Sequence, residues 1–469
     1  MSIRLTALYI YVVVLLVYAW KDWFKSLCGL ILLMAVIEHE DMPKTMFGIQ
    51  GLNVWNVLFV GISLAWLAGR RREGLTWDMP RRINVLLLMY LAVILVGVLR
   101  AVLDRSNIQD YPLKSLISEE LINTIKWVLP GLLLFDGCRT RRRLIMVLVC
   151  LLVMYFLIGT QVVLRLPASS VLSVETMNET RKACEDIGYG ACDMSTFLAG
   201  ASWGILATLP LVRRKKYKAL ILAAAGMVAF GQALTGGRAG YLAWGATGLV
   251  LCLLKWRKYL ILAPVIVLLL PIVFPGVVGR MLEGLGETDV AWQSTIDDYS
   301  VTSDRTLFWP YIIDKIAESP VVGYGRLAME RTGLCYSIES EHPGTGATHP
   351  HNMYLETLLD NGIVGSMPIL LFWGILVVYA ARLFRSDNRV CSAVGGLALS
   401  LMLAQLIAGI GSQHFYPEES TLGAWAGMFL AVRVYVEQAL ARNDAIVAEG
   451  NCDSQALQQQ QAAITAVSA

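Results

Sequence analysis

Three of the chain's five histidines, His342, His349 and His351, lie within ten residues, where a polar loop gives way to an apolar run. Pro350 suits the first position of a helix, because its missing N–H would have no partner there. His351 would then lie in the first turn, where the positive end of the helix dipole disfavours an imidazolium ion. A neutral imidazole of this kind is suited to act as a general base. A loop histidine or a helix cap explains the same residues equally well.

A second candidate group is Arg238, which follows Gly236 and Gly237 in a short turn between two apolar runs. The two glycines would free the backbone to point N–H groups at an anion, and the helix that begins here would add positive potential. The planar guanidinium group is suited to phosphate. The alternative is an arginine that snorkels at a tight turn. The shortness of the turn favours phosphate binding.

Arg305 follows a predicted helix cap at Thr302-Ser303-Asp304. A cation at a helix N-terminus is unfavourable by about 0.3–1 kcal/mol, and an anionic ligand shared by the arginine and the helix end would reverse this. An ion pair with a neighbouring aspartate explains Arg305 equally well. The helix after Arg305 would place Phe308 and Trp309 on one side, either in the bilayer interface or packed on the bundle.

The histidine trio, with Glu339 and Glu341, offers enough ligands for zinc or manganese. However, the linker 343–346 is flexible, and no ligand pair has the i, i+4 spacing of a helix. We therefore expect no metal and no cofactor. Lys126 lies inside an apolar run, where a charge is either functional or paired with another residue of the bundle.

The composition predicts an all-α, polytopic membrane bundle. The 469 residues are 56% hydrophobic and only 16% charged, whereas soluble chains carry about 25% charged residues. Apolar runs near the length of a membrane span recur from end to end. No P-loop or dinucleotide fingerprint is present, no nucleic-acid partner is expected, and any chemistry must belong to one face of the bundle. Membrane lipids are the expected surroundings.

Basic clusters set the predicted orientation. They lie at 70–72, 81–82, 139–143, 213–216, 255–258 and 382–389, and by the positive-inside rule they face the cytoplasm. Eleven spans are predicted at about 50–69, 83–103, 116–136, 144–164, 194–212, 219–235, 240–254, 259–275, 362–381, 391–413 and 421–437. The runs 5–20 and 27–37 add one or two more, and the shortness of the second favours a total of twelve over thirteen. Residues 5–20 lack a cleavage site and are expected to be retained.

The predicted organisation has four parts. N-terminal transmembrane helices occupy 1–218, a central module occupies 219–384 with an outward-facing loop at 276–350, C-terminal transmembrane helices occupy 385–437, and a polar, glutamine-rich tail at 438–469 is expected to be disordered in the cytoplasm. A second outward loop spans 165–193. A disulfide between Cys184 and Cys192 is possible if that loop faces an oxidising compartment.

The motifs resemble those of bacterial O-antigen ligases. His351-Asn352 followed by Gly362-x-x-Gly365 is similar to the family's His-Asn…Gly-x-x-Gly signature, and Arg238-x-x-x-Leu242 is similar to its arginine motif. Arg305-x-x-x-Trp309 and the run Ser-Pro-Val-Val-Gly-Tyr-Gly at 319–325 also resemble the module that these ligases share with O-antigen polymerases. The resemblance covers roughly 219–384.

The resemblance implies an inner-membrane glycosyltransferase whose site opens to the periplasm. It would join a glycan carried on undecaprenyl pyrophosphate to lipid A–core, without metal or nucleotide and with inversion at the anomeric carbon. His351 matches the essential histidine, Arg238 and Arg305 match arginines that bind the pyrophosphate, and Asn352 and His349 are candidate substrate contacts. The alternatives are an O-antigen polymerase, a protein O-oligosaccharyltransferase and, from a different class, a transporter of lipid-linked glycans.

Overall fold

The computed structural model describes residues 3–46, 48–49, 51–282, 305–343 and 348–441, without the side chains of 305–307. Regular structure in these residues is helical, and apart from an isolated bridge between Met46 and Ile49 no β-structure occurs among them. The all-α prediction is confirmed.

The helices follow one another with short connections. They are α1 Ile3–Ala19, α2 Trp23–Leu33, α3 Val54–Arg72, α4 Arg81–Leu103, α5 Leu113–Leu116, α6 Thr124–Lys126, α7 Leu129–Gly137, α8 Arg141–Arg165, α9 Val174–Thr180, α10 Ala183–Ile187, α11 Ala191–Ala207, α12 Lys215–Leu234, α13 Arg238–Leu254, α14 Ala263–Val273, α15 Pro275–Leu282, α16 Arg305–Glu318, α17 Ala328–Arg331, α18 Leu334–Glu341, α19 Met353–Arg385 and α20 Arg389–Ala408. A further helix, α21, covers residues 422–441.

Six of the described helices are long and apolar enough to cross a membrane, namely α4, α8, α11 with its extension to Leu211, α12, α19 and α20. The segment Arg257–Val273 and helix α15 meet at a bend of 99° and make a seventh span if they are counted together. The described helices confirm a polytopic bundle, and the number twelve stays a prediction.

Two predicted spans have the wrong form. The run 116–136 is not one helix: a π-helical stretch at Ile117–Asn123 and a break after Lys126 divide it into short pieces. The ammonium group of Lys126 lies 4.4 Å from the ring centre of Trp127 and 5.4 Å from that of Trp55. These cation–π contacts offset part of the free energy that is needed to bury the charge. The run 391–413 is also too long, because α20 ends at Ala408 and an irregular loop follows.

The two ends of the bundle differ in chemistry. At one end Arg139 and Arg433 both bond to Asp78 over 2.6 Å, and Lys255 donates to the carbonyls of Phe384 and Ser386 at the end of α19. The other end of α19 begins beside the histidines. Lys255 and the histidines therefore lie at opposite ends of this helix, and which end faces the cytoplasm stays a prediction.

The large loop contains ordered helices that pack on the bundle. The described part of helix α16 is Arg305–Glu318, and its Phe308 and Ile312 are buried, whereas Ile313 is 52% exposed. The buried pair belongs to a small core formed with residues of α17, α18 and the first turns of α19. Packing on the bundle is therefore the observed arrangement. The predicted cap at 302–304 lies outside the described residues, as do residues 442–469 of the predicted tail, whereas 438–441 belong to α21.

The disulfide that the sequence allows in the loop 165–193 is not formed. Cys184 and Cys192 are both free thiols. Cys184 is buried, and the sulfur of Cys192 accepts a hydrogen bond from Arg181 over 3.3 Å.

Candidate functional site

The histidine motif ends in a helix cap. The Oδ1 atom of Asn352 accepts hydrogen bonds from the N–H groups of Tyr354 and Leu355 over 3.0 and 3.1 Å, and α19 begins at Met353. The prediction that Pro350 opens the helix is wrong by three residues. The side chain of Asn352 accepts hydrogen bonds from N–H groups of the first turn, whereas a proline only lacks an N–H group of its own. His351 instead precedes the helix in a left-handed conformation with φ of 49°.

His351 and His349 form a close pair. The backbone N–H of His351 donates to Nδ1 of His349 over 3.1 Å, and the two ring centres are 3.8 Å apart. An Nδ1 atom that accepts a hydrogen bond carries no proton, so neutral His349 has its proton on Nε2. Burial, reinforced by the neighbouring imidazoles of His351 and His414, lowers the pKa of His349 to about 3. His349 is therefore a neutral hydrogen-bond donor at physiological pH.

A third histidine, His414, completes the cluster from the loop after α20. Its Nδ1 lies 2.6 Å from Oε2 of Glu356, and its ring centre is 5.1 Å from that of His349. Burial would lower the pKa of His414, but the charge and hydrogen bond of Glu356 outweigh it and raise the pKa to about 9. His414 is thus an imidazolium ion near neutral pH, and 27% of its side chain is exposed. Sequence reasoning missed it, although a histidine between two apolar runs was a signal.

Glu356 is held in turn by Arg326, which is the centre of a buried charge network. Arg326 donates to Glu356 over 2.8 Å, to Asp360 over 3.3 Å and to Glu120 over 2.7 Å. Its guanidinium group lies 3.8 Å from the ring centre of Tyr416, whose hydroxyl donates to Asp360 over 2.8 Å. The network joins four segments that are distant in sequence, and it fixes the carboxylate that charges His414.

The glycine motif has a structural role in positioning Arg326. Gly362 breaks α19 with φ of 58° and ψ of −167°, and a Cβ atom there would lie 2.4 Å from the carbonyl carbon of Val321. Backbone hydrogen bonds join both sides of this break to the segment 320–325, including Ile363 N to Pro320 O at 2.8 Å and Tyr324 N to Leu359 O at 2.9 Å. The motif at 319–325 is therefore the irregular segment that docks at the break and leads directly into Arg326.

Helix α16 lies against the histidine loop. The indole N–H of Trp309 donates to the carbonyl of Pro350 over 2.9 Å, and the ring centre of Phe308 is 6.3 Å from that of His351. Arg305 begins this helix one turn before Trp309. The contacts of α16 with the histidine loop are thus made by Phe308 and Trp309, and the side chain of Arg305 lies outside the described residues.

Arg238 is the first residue of α13, after the short turn that the sequence predicted. The N–H of Gly236 donates to the hydroxyl of Tyr241 over 3.1 Å, so the prediction that this group faces an anion is wrong. Gly237 is required for packing, because a Cβ atom there would lie 2.5 Å from Cβ of Ser195. Gly236 and Gly237 thus allow the tight turn and its packing. Phosphate binding would depend on the guanidinium group of Arg238 and the N-terminal end of α13.

The Arg238 turn and the histidines lie at the same end of the bundle. The first turns of α13 pack through Ala239 and Ala243 against Ala404 and Ala408 of α20. Immediately after these alanines, the carbonyl of Gly409 accepts the N–H of Met353, the first residue of α19. The end of α20 therefore contacts the starts of both functional helices.

The remaining histidine of the trio is apart from this pair. His342 contacts Tyr311, with Nε2 3.3 Å from the hydroxyl oxygen. Within the part of the chain that the structure describes, no three His, Cys, Asp or Glu side chains are grouped so as to hold a metal ion.

The central region of the chain is similar to known proteins. Residues 219–370 match the family model described as O-antigen ligase. A protein of Rickettsia conorii (strain ATCC VR-613 / Malish 7), whose name describes it as a polysaccharide ligase, is 26% identical over 166 residues, which are 33% of this chain and 38% of the relative. The family match contains Arg238, Arg305, Arg326 and the His349–His351 pair. Residues 219–370 are therefore similar to the O-antigen ligase family, in the region where the sequence motifs indicated it.

Proposed function

We propose that the chain is a membrane glycosyltransferase that moves an O-antigen glycan from undecaprenyl pyrophosphate to lipid A–core. The multi-pass bundle would lie in the bacterial inner membrane, with the histidines at the periplasmic face and the C-terminus in the cytoplasm. The observation that carries the proposal is the ordered histidine pair at the same end of the bundle as Arg238, inside a region that matches O-antigen ligases.

His351 is the better general base of the pair. Nδ1 of His349 is occupied by the N–H of His351, and its Nε2 carries a proton, so His349 has no basic nitrogen to offer without changing its tautomer. His351 would take the proton of an acceptor sugar hydroxyl, and His349 would donate a hydrogen bond to a substrate oxygen. Oδ1 of Asn352 is committed to the helix cap, so a substrate contact of Asn352 would use its amide N–H.

The reaction is a displacement at the anomeric carbon. As His351 takes the hydroxyl proton, the acceptor oxygen forms a bond to the anomeric carbon, the bond from that carbon to the pyrophosphate oxygen breaks, and undecaprenyl pyrophosphate leaves with the electron pair. Attack opposite the leaving group inverts the configuration. Arg238 and Arg305 would stabilise the negative charge that develops on the pyrophosphate, where preorganised donors in a poorly hydrated site are most effective.

The test uses the purified full chain, a lipid-linked glycan and lipid A–core, with EDTA present. We expect a joined product on gels and by mass spectrometry, and none with His351→Ala. No product from the wild-type chain under these conditions, or an equal yield from His351→Ala, would reject the proposal. If one lipid-linked glycan is instead extended by another, the enzyme is a polymerase.

A further inference from the structure

A cavity lies where the starts of helices α2 and α8 meet. Its volume is about 160 Å³, well above the roughly 10–15 Å³ that a single water molecule needs. Asp22, which caps α2, and Thr140, which caps α8, both line it. Two helices therefore direct their positive ends toward one space that is large enough for a small anionic group.

This cavity is far from the histidines. Arg139, which precedes Thr140, bonds to Asp78 together with Arg433 of α21. Helix α21 begins at residue 422, shortly after His414, and Arg433 lies about three turns further along it. The cavity and the histidine cluster are therefore at opposite ends of the bundle, and a ligand of one would not touch the other.

Three basic side chains line the cavity, and two of them are held by ion pairs. Nζ of Lys25 lies 2.8 Å from Oδ2 of Asp22. Arg143 donates to Oε2 of Glu73 over 2.7 Å. Arg142 is exposed, and it has no hydrogen-bond or ion-pair partner among the residues that the structure describes. Pairing thus leaves one positive side chain, that of Arg142, in addition to the two helix ends.

Arg142 lies in the first turn of α8, where the helix dipole disfavours a cation. An anion in the cavity would reverse this, because it would pair with the guanidinium group and accept hydrogen bonds from N–H groups of the first turn. A phosphodiester carries one negative charge, which matches the one unpaired cation, whereas a phosphate monoester carries closer to two. The charge of the lining therefore favours a phosphodiester.

The surface of α8 that continues from Arg142 is apolar. Ile145, Val149 and Val153 follow it on the same face of the helix, and they are 44%, 49% and 38% exposed. Met146 lines the cavity on this side. A phosphate group held in the cavity would leave attached acyl chains along this face, inside the bilayer. A phospholipid uses both the cavity and the apolar face, whereas free phosphate would use only the cavity.

We propose that this cavity binds the phosphate group of an anionic phospholipid whose acyl chains lie along the exposed face of α8. The basic cluster at 139–143 is one of those predicted to face the cytoplasm, and the cytoplasmic leaflet carries a negative surface potential. The bound lipid would join the starts of α2 and α8. The inference goes beyond the proposed function and does not depend on it, because the transfer reaction uses the other end of the bundle.

The test measures binding of dioleoyl phosphatidylglycerol to the purified full chain in an uncharged detergent by native mass spectrometry. Dioleoyl phosphatidylcholine and inorganic phosphate are the further probes. We expect phosphatidylglycerol to bind more tightly than phosphatidylcholine, and Arg142→Gln to raise its Kd by about fivefold, the usual effect of one basic residue on an anionic lipid. Asp22→Asn should lower the Kd, because it removes the negative charge of the cavity while asparagine still caps α2.

The matched control is Arg141→Gln. Arg141 is an exposed arginine of the same helical turn that does not line the cavity, so this variant should bind like the wild type. Equal rises in Kd for Arg141→Gln and Arg142→Gln would overturn the inference, because a diffuse field of basic residues would then explain the binding. Equal affinity of the wild-type chain for the two lipids would also overturn it. Inorganic phosphate that binds as tightly as phosphatidylglycerol would show that the acyl chains contribute nothing and would reject a lipid site.

Discussion

The backbone N–H of His351 donates a hydrogen bond to Nδ1 of His349 over 3.1 Å. This one contact distinguishes two imidazoles that the sequence leaves equivalent. It fixes the tautomer of His349, whose Nδ1 is occupied by the main chain of its neighbour. Because the donor is a main-chain group, the side chain of His351 can be changed without removing the contact.

His351→Ala should therefore abolish transfer without unfolding the chain. We expect a loss of about 10²–10⁴-fold in kcat, the usual contribution of a general base. The thermal unfolding temperature should change little. His351→Gly is a second test, since glycine accepts the φ of 49° without strain. His342→Ala, in the same loop but apart from the pair, is the control, and activity of His351→Ala within tenfold of wild type would contradict the assignment.

The charge of His414 should appear in the pH dependence of stability. Its folded-state pKa is raised from 6.5 to about 9, so the folded chain holds this proton more tightly than the unfolded chain. The stabilisation, on the order of 3 kcal/mol, is complete below pH 6.5 and is lost as the pH rises towards 9. Glu356→Gln should remove this component, because an amide cannot hold an imidazolium ion. Thermal unfolding in detergent between pH 6 and 9 measures it.

Other charged and titratable groups face His414, and their contributions to the pH dependence of stability must be distinguished from that of His414. Glu418 and Arg326 act on it electrostatically, as does Asp193, which is bonded to Gln413. Burial, together with Asp193, raises the pKa of Glu418 to about 8, so Glu418 also titrates in this window. The double variant with His414→Gln isolates the histidine: if Glu356→Gln changes the slope equally with and without His414, the pair is not its source. The control is Glu175→Gln, which removes an exposed carboxylate on α9 and should leave the pH dependence of stability unchanged.

Arg326→Gln should be among the most destabilising single changes in the chain. It would leave the buried carboxylates of Glu356 and Asp360 without their shared cation, which typically costs about 3–5 kcal/mol. The matched control is Arg4→Gln, because Arg4 forms an exposed ion pair with Asp41 whose loss should cost less than about 1 kcal/mol. Equal unfolding temperatures for the two variants would show that the network does not hold the site together.

Gly362→Ala and Gly374→Ala, in the same helix, should have opposite outcomes. At Gly362 the left-handed backbone and the contact with Val321 leave no room for a methyl group, so the segment 320–325 must separate from α19. At Gly374 nothing lies within 4 Å of the added atom, and alanine should stabilise the helix by about 0.5–1 kcal/mol. Yield and thermal unfolding of the two proteins provide the comparison. Tolerance of alanine at 362 would contradict the role of the break.

Trp309→Phe should weaken the position of the histidine loop and keep the packing of α16. It removes the hydrogen bond to the carbonyl of Pro350, worth about 0.5–1.5 kcal/mol. We expect kcat to fall several-fold with little change in KM for the donor. Trp77→Phe removes a comparable bond to Asn84 at the other end of the bundle and should leave kcat unchanged. An unchanged kcat in Trp309→Phe would mean that α16 does not position the loop.

The local signals of the sequence were reliable where one element decided the outcome. The three-residue turn before Arg238 follows from the glycine pattern, and the helix after Arg305 follows from the amphipathic pattern; both are observed. The start of α19 was misplaced because Pro350 and Asn352 are both helix-start signals, and only the backbone at His351 decides between them. The span after 116 was misjudged because hydropathy does not detect a π-helical turn.

By itself the sequence determined a polytopic helical bundle and a histidine and arginine motif, because hydrophobic length and short-range spacing are properties of a continuous segment. Tertiary structure alone decided that His414 meets His349 and that Arg326 gathers carboxylates from two other elements. These groups are 65 or more residues apart in several cases, as His349 and His414 are. Their proximity depends on how helices pack and where α19 breaks, and no local pattern encodes that packing.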